Sequence, residues 1–128
     1  MSELSNYLEN ALINVTLRAT SYTAPTTVYV ALFTTDPTDA ATGTEVTGGA
    51  YARTSVAFAA PSNGAAASSA DCTFPTCTLT WGTVSHIGIF DASTSGNLLY
   101  HTPLDASKTV DAADIFKISS GSLSVTLA

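Results

Sequence analysis

The sequence predicts an all-β fold: a β-sandwich of about seven or eight short antiparallel strands, with one N-terminal α-helix. Three observations predict it. From residue 26 onwards, short apolar alternations are separated by turn residues, the pattern of strands joined by tight connections. Helical spacing occurs only in residues 3–18. Residues 73–100, TFPTCTLTWGTVSHIGIFDASTSGNLLY, read as turn, strand, bend, strand, polar loop and strand. At 128 residues one domain is expected, spanning 1–128, with the helix in 1–20 and the sandwich in 26–128.

The helix is predicted over residues 3–18, because Leu4, Leu8, Ala11, Leu12 and Val15 recur at three- and four-residue spacing. Ser2 is the expected N-cap, Glu3 suits the positive end of the dipole, and Arg18 sits at the negative end. Residues 21–25 stop it. Residues 26–34, TTVYVALFT, are apolar on both alternating faces, so this strand is expected to be covered on both sides. Residues 36–49 form a long polar loop with room for a short edge, and loops of that length are commonly functional or mobile. Residues 51–59 alternate, with Ala52, Thr54, Val56 and Phe58 on one face. Residues 62–70 are small and polar, a loop or weak edge. Cys77, Leu79 and Trp81 alternate, as in a strand. Residues 84–90 and 97–101 read as a hairpin around 91–96, and residues 115–118 as a short strand. In residues 122–127, Leu123, Val125 and Leu127 are expected to point inward.

Composition narrows the function classes. A 13.1 kDa chain exposes roughly 6,400 Å² when folded, which leaves a modest core. Charged residues make up 11% of the chain, against about 25% in ordinary domains. Ser, Thr and Ala contribute 15, 21 and 20 residues, so solubility rests on hydroxyls and small side chains. A surface with few charges is easily buried, because little needs desolvating, and this points to permanent assembly. Net charge is −6, and the four basic residues, Arg18, Arg53, Lys108 and Lys117, are scattered. A phosphate-binding stripe needs clustered cations, so nucleic acid is not an expected partner. No apolar run approaches the ~20 residues of a membrane span, so no membrane partner is expected either. Residues 1–12 carry no basic leader, so synthesis and folding in a cytoplasm are expected.

No constellation of chemistry survives inspection. Folding the hairpin about residue 94 places His86 close to His101, but zinc needs three or four ligands and no nearby acidic or thiol pair is evident. Local hydrogen bonding is the simpler role for each. Cys72 and Cys77 come to disulfide range only if Phe74-Pro75 turns a hairpin; otherwise they are two small buried apolar groups. Asp36, Asp39 and Glu45 do not match an EF-hand, and Asx turns account for the aspartates. There is no GxSxG, no Cys–His pair with an orienting acid, no identifiable carboxylate pair and no phosphate loop; Gly48-Gly49 reads as a turn. Trp81 reads as a core indole, with Gly82 permitting the bend, and sugar stacking is its functional alternative. Tyr22, Tyr29 and Tyr51 suit either an interface or the rim of the core. No residue is nominated as catalytic, cofactor-binding or metal-binding, and no cofactor is expected.

Taken as a set, YVALFTTDPT (29–38), GGAYAR (48–53), FPTCTLTWGTVSHIGIFDA (74–92), GNLLY (96–100) and PLDASKTV (103–110) resemble small structural proteins of tailed bacteriophages. Some of these are tail-fibre-like and some decorate or cement capsids. The resemblance implies a virion component without enzymatic activity, assembled in the host bacterial cytoplasm. The Cys pair departs from the family pattern, where those places are apolar. The leading expectation is a cement or decoration protein that clamps major capsid subunits. The alternative is a tail or tail-fibre component that contacts the host surface. The expected partners are the major capsid protein or other virion proteins, together with copies of the chain itself as a dimer or trimer.

Overall fold

The hairpin predicted within residues 73–100 is the centre of the sheet. The computed structural model describes residues 2–127. In chain order the elements are β1 (Glu3–Leu4), α1 (Asn6–Leu17), β2 (Val28–Phe33), β3 (Thr54–Val56), β4 (Ala65–Ala67), β5 (Cys72–Thr73), β6 (Gly82–Phe90), β7 (Leu98–Val110), β8 (Lys117–Ile118) and β9 (Ser124–Thr126). Five strands form one antiparallel sheet in the order β1-β7-β6-β2-β3. Two antiparallel pairs, β4 with β9 and β5 with β8, stand apart from it. The fold is therefore all-β with one helix. The two small ladders are joined by irregular chain.

The core lies between the five-stranded sheet and these ladders. Val30 and Leu32 of β2 and Val84, Ile87 and Ile89 of β6 supply the sheet side. Cys72, Phe74, Cys77, Phe116 and Leu123 supply the other. The ring of Phe74 stacks with Tyr51 at 6.3 Å and meets Phe116 edge-on at 5.6 Å. Ala31, Phe33, Phe90 and Leu98 form a second, smaller cluster on the reverse face. The double-sided apolar reading of residues 26–34 is thus correct, since β2 contributes to both clusters. Gly88 sits beneath the second cluster: a Cβ there would lie 2.8 Å from Leu98 Cδ1 and 3.1 Å from the Phe33 ring.

Four local expectations are corrected. The helix begins at Asn6, not residue 3, and Ser5 is the N-cap rather than Ser2. Glu3 and Leu4 pair instead with His101 and Tyr100 at the edge of the sheet. Residues 77–81 are not a strand: Cys77 N–H donates to Asp114 O, Thr78 N–H to Gly49 O and Trp81 N–H to Val110 O, so the bonds are divided between residue 49 and the 110–114 stretch. Leu79 consequently points to solvent. Leu127 is also exposed, and only Leu123 of the final alternation is fully buried. Finally, β7 does not stop near residue 101. Its register against β6 jumps from His86↔Pro103 to Val84↔Lys108, so residues 104–107 bulge out opposite Ser85 and the ladder resumes to Val110.

The residue 36–49 loop is ordered by its own backbone. Asp36 Oδ1 accepts from Thr38 N–H (2.8 Å), an Asx turn, and Pro37 O accepts from Thr42 N–H (2.7 Å). Val46 N–H donates to Leu32 O and Glu45 bridges to Phe33, which is the short edge the sequence allowed for.

Candidate functional site

The N-terminal segment is fixed at one end and bare at the other. Ser5 has an extended backbone (φ −73°, ψ 159°), and its Oγ accepts from Leu8 N–H at 3.1 Å, satisfying one of the orphan donors of the first turn. The same hydroxyl donates to Leu98 O, and Ser5 N–H donates to Leu99 O (2.9 Å). Asn6 N–H donates to Asp39 O (2.9 Å), and Ser2 Oγ accepts from Thr126 N–H (3.2 Å). The start of α1 is therefore bonded to β7 and to the 36–49 loop, and the segment that leads into it is bonded to β9.

Beyond its first turn the helix leaves the protein. Leu8 is its buried residue. Ala11 and Leu12 are half-buried, and Val15, which continues the same stripe, is 40% exposed. Ile13 and Leu17, one turn apart on the opposite side, are 52% and 79% exposed, and Tyr7 is also exposed. The last two turns thus carry apolar side chains around most of their circumference, as a helix enclosed by neighbours does. The helix ends with Arg18 and Thr20 N–H groups both donating to Asn14 O and with Ala19 left-handed (φ 54°).

His101, on β7, is buried and faces three carboxylates from two segments, β1 and the 36–49 loop. Its Nε2 lies 2.8 Å from Asp39 Oδ1 and 3.7 Å from Glu3 Oε2, and its Nδ1 lies 3.9 Å from Asp36 Oδ1. Residues 3, 39 and 101 are too far apart in sequence for any motif to flag them. The strand pairing of Glu3 with His101 and the return of the long loop bring them together. His86 is not part of this group. It pairs with Pro103 while His101 pairs with Gly88, two rungs along, and its Nδ1 is 2.8 Å from Ser85 Oγ.

A second polar centre is built on Arg53. Its guanidinium grips Glu45 through Nε–Oε2 and Nη2–Oε1 contacts of 2.9 Å each, and Nη1 donates to Ala92 O (3.0 Å) and Ser95 O (2.7 Å). It lies 3.8 Å above the Phe90 ring. Tyr51 O–H donates to Glu45 Oε2 (2.6 Å) and accepts from Leu32 N–H (3.0 Å). Burial first, then the bond to Glu45, holds the Tyr51 phenol well above its ordinary range. Every polar contact here is internal, so the arrangement ties the 91–96 turn and the 36–49 loop to the sheet.

The remaining sequence candidates serve packing. Trp81 is buried, donates from Nε1 to Gly49 O (2.9 Å) and meets Tyr51 edge-on at 5.5 Å, so its faces are not open to a sugar. Cys72 and Cys77 are both buried free thiols, and Cys77 Sγ lies 2.8 Å from Leu79 O. Burial pushes the Cys72 thiol up to about 11. An unfolded thiol titrates near 8.5. The folded chain therefore holds this proton more tightly, so the contribution is complete below about pH 8.5 and is lost as pH rises towards 11. Denaturant unfolding across that window is expected to show falling stability, with a shallower fall in Cys72→Ala; identical slopes would contradict the assignment.

Comparison with known proteins gives the family. A family model described as Podophage GP4 fiber I protein gp80 matches residues 3–126. The chain belongs to that family. No curated protein matches it. As a member of this fibre family, it is a structural protein of a bacteriophage virion. Family membership also covers both ends of the structure just described, the anchored β1 and the β9 strand that closes the core.

Proposed function

We propose that the chain is a non-enzymatic, tail-fibre component of the virion, held in place by neighbouring virion proteins that enclose the outer turns of α1. The fibre assignment draws on the description of its family. The observation that supports docking through the helix is the exposure of Ile13, Val15 and Leu17 on an element whose start is firmly bonded to the sheet. Enclosing these side chains contributes roughly 25 cal/mol per Å² removed from water. Copies of the chain itself, as a dimer or trimer, are among the neighbours that fit. The folded chain exposes 7052 Å², more than the roughly 6,400 Å² of a self-sufficient monomer of this mass.

The weak charge and the same helix face also favour the capsid-cement reading, in which the chain clamps major capsid subunits. Cryo-EM of particles carrying a labelled copy separates the two. Density on the tail fibres is expected, and density confined to the head would replace the fibre reading with cement.

A double change at the bare turns, Ile13→Asp with Leu17→Lys, is expected to leave stability within about 0.5 kcal/mol, because both side chains are solvent-exposed. Incorporation into particles is expected to be lost. Normal incorporation of this variant would sink the docking role of α1.

A further inference from the structure

We propose that Glu3, Asp39 and His101 form a binding site for a divalent transition-metal ion of the zinc type, which pins β1 and the 36–49 loop to β7. Among the described residues these three bring one ligand atom each within 4.8 Å of one another. Donor atoms around a tetrahedral zinc, with bonds of about 2.0–2.2 Å, lie roughly 3.3–3.6 Å apart. The distances from His101 Nε2, 2.8 Å to Asp39 and 3.7 Å to Glu3, straddle that value. Small rotations of two exposed carboxylates are enough to reach it.

The imidazole is held rigidly by burial, while the Glu3 and Asp39 side chains are 67% and 48% exposed. The site is thus anchored on one side and open on the other, which leaves a fourth position for water or a partner ligand. Asp36 Oδ1 stands 3.9 Å from the other ring nitrogen, beyond hydrogen-bond distance, and adds a third negative charge beside the ring. Charge points the same way. Three carboxylates converge on one imidazole, while the ion pairs of Arg53 and Lys117 go to Glu45 and Asp71 instead. One nitrogen with carboxylate oxygens suits zinc or its neighbours better than calcium, which takes six to eight oxygens.

The test uses the full chain without a polyhistidine tag, stripped with chelator and titrated with zinc by calorimetry. One saturable equivalent is expected, together with a higher unfolding temperature and, with cobalt as probe, visible absorption of a four-coordinate centre. Glu3→Gln and Asp39→Asn change exposed side chains and keep the fold, and each is expected to weaken binding roughly tenfold or more. His86→Gln is expected to bind as the parent does. His101→Ala removes a buried ring and can fail by unfolding, so the decision rests on the two carboxylate variants. Absence of saturable binding overturns the proposal. So does binding that both carboxylate variants leave unchanged, which would assign the cluster to a hydrogen-bonded histidine clamp alone.

Discussion

Arg53→Ala is expected to lower stability by about 3 kcal/mol, with a drop of roughly 10 °C in the unfolding midpoint. The guanidinium is 9% exposed and makes four hydrogen bonds, two to Glu45 and one each to Ala92 and Ser95 carbonyls. Removing it leaves the Glu45 carboxylate, at 24% exposure, without its charge partner and also uncovers the Phe90 ring. Removing one member of a buried pair costs about 3–5 kcal/mol; the partial exposure of Glu45 places this case at the low end. Urea unfolding measures it. Glu45→Ala combined with Arg53→Ala is expected to cost clearly less than the sum of the single changes, because neither partner is then stranded. A loss below about 1 kcal/mol would mean that the network is solvated and contributes as little as a surface pair.

Trp81→Ala is the second large effect, about 3–5 kcal/mol. The indole fills the space between Tyr51 and the chain at Gly49, and its N–H satisfies a buried carbonyl. Gly49 itself is fixed by this arrangement: its φ is +58°, and a Cβ there would run into Leu79 O and the indole edge. Trp81→Phe keeps an aromatic ring but not the donor, and is expected to lose a smaller amount, about 0.5–1.5 kcal/mol, because Gly49 O still accepts from Thr78 N–H. Fluorescence is lost with the Trp, so circular dichroism during denaturation is the suitable measurement. Equal losses for Ala and Phe would show that the hydrogen bond, not the volume, dominates.

These two centres also mark what sequence reading resolves. The β2, β6 and β7 strands were legible because their alternation is set by burial on a sheet, and Trp81 was legible because a lone indole in such a pattern belongs in the core. The extension of β7 was not, because Pro103 ordinarily ends a strand and nothing local signals that a bulge absorbs it. Residues 77–81 mimic a strand through alternating Cys77, Leu79 and Trp81. Their backbone bonds go to two segments, residue 49 and the 110–114 stretch, that only the tertiary fold brings near. The helix start was misread because Glu3 and Leu4 continue the helical periodicity, whereas pairing with β7 and the Ser5 cap outweigh it. The cluster around His101 draws on residues 3, 36, 39 and 101, so no spacing in the chain reveals it. Of the helix stripe read in the sequence only Val15 is bare, while Ile13 and Leu17, bare on the opposite side, fall outside that spacing.

The bulge at residues 104–107 has a consequence for life in a crowded particle. β1 pairs with β7 at Tyr100 and His101, and from residue 104 onwards the outer edge of β7 has no ladder partner among the described residues. A bare edge of that length invites a strand from another molecule. Here Pro103 offers no N–H, the excursion breaks the repeat of donors and acceptors, and Lys108 adds a charge where the ladder resumes. Copies crowded side by side are thereby kept from zipping together along this edge.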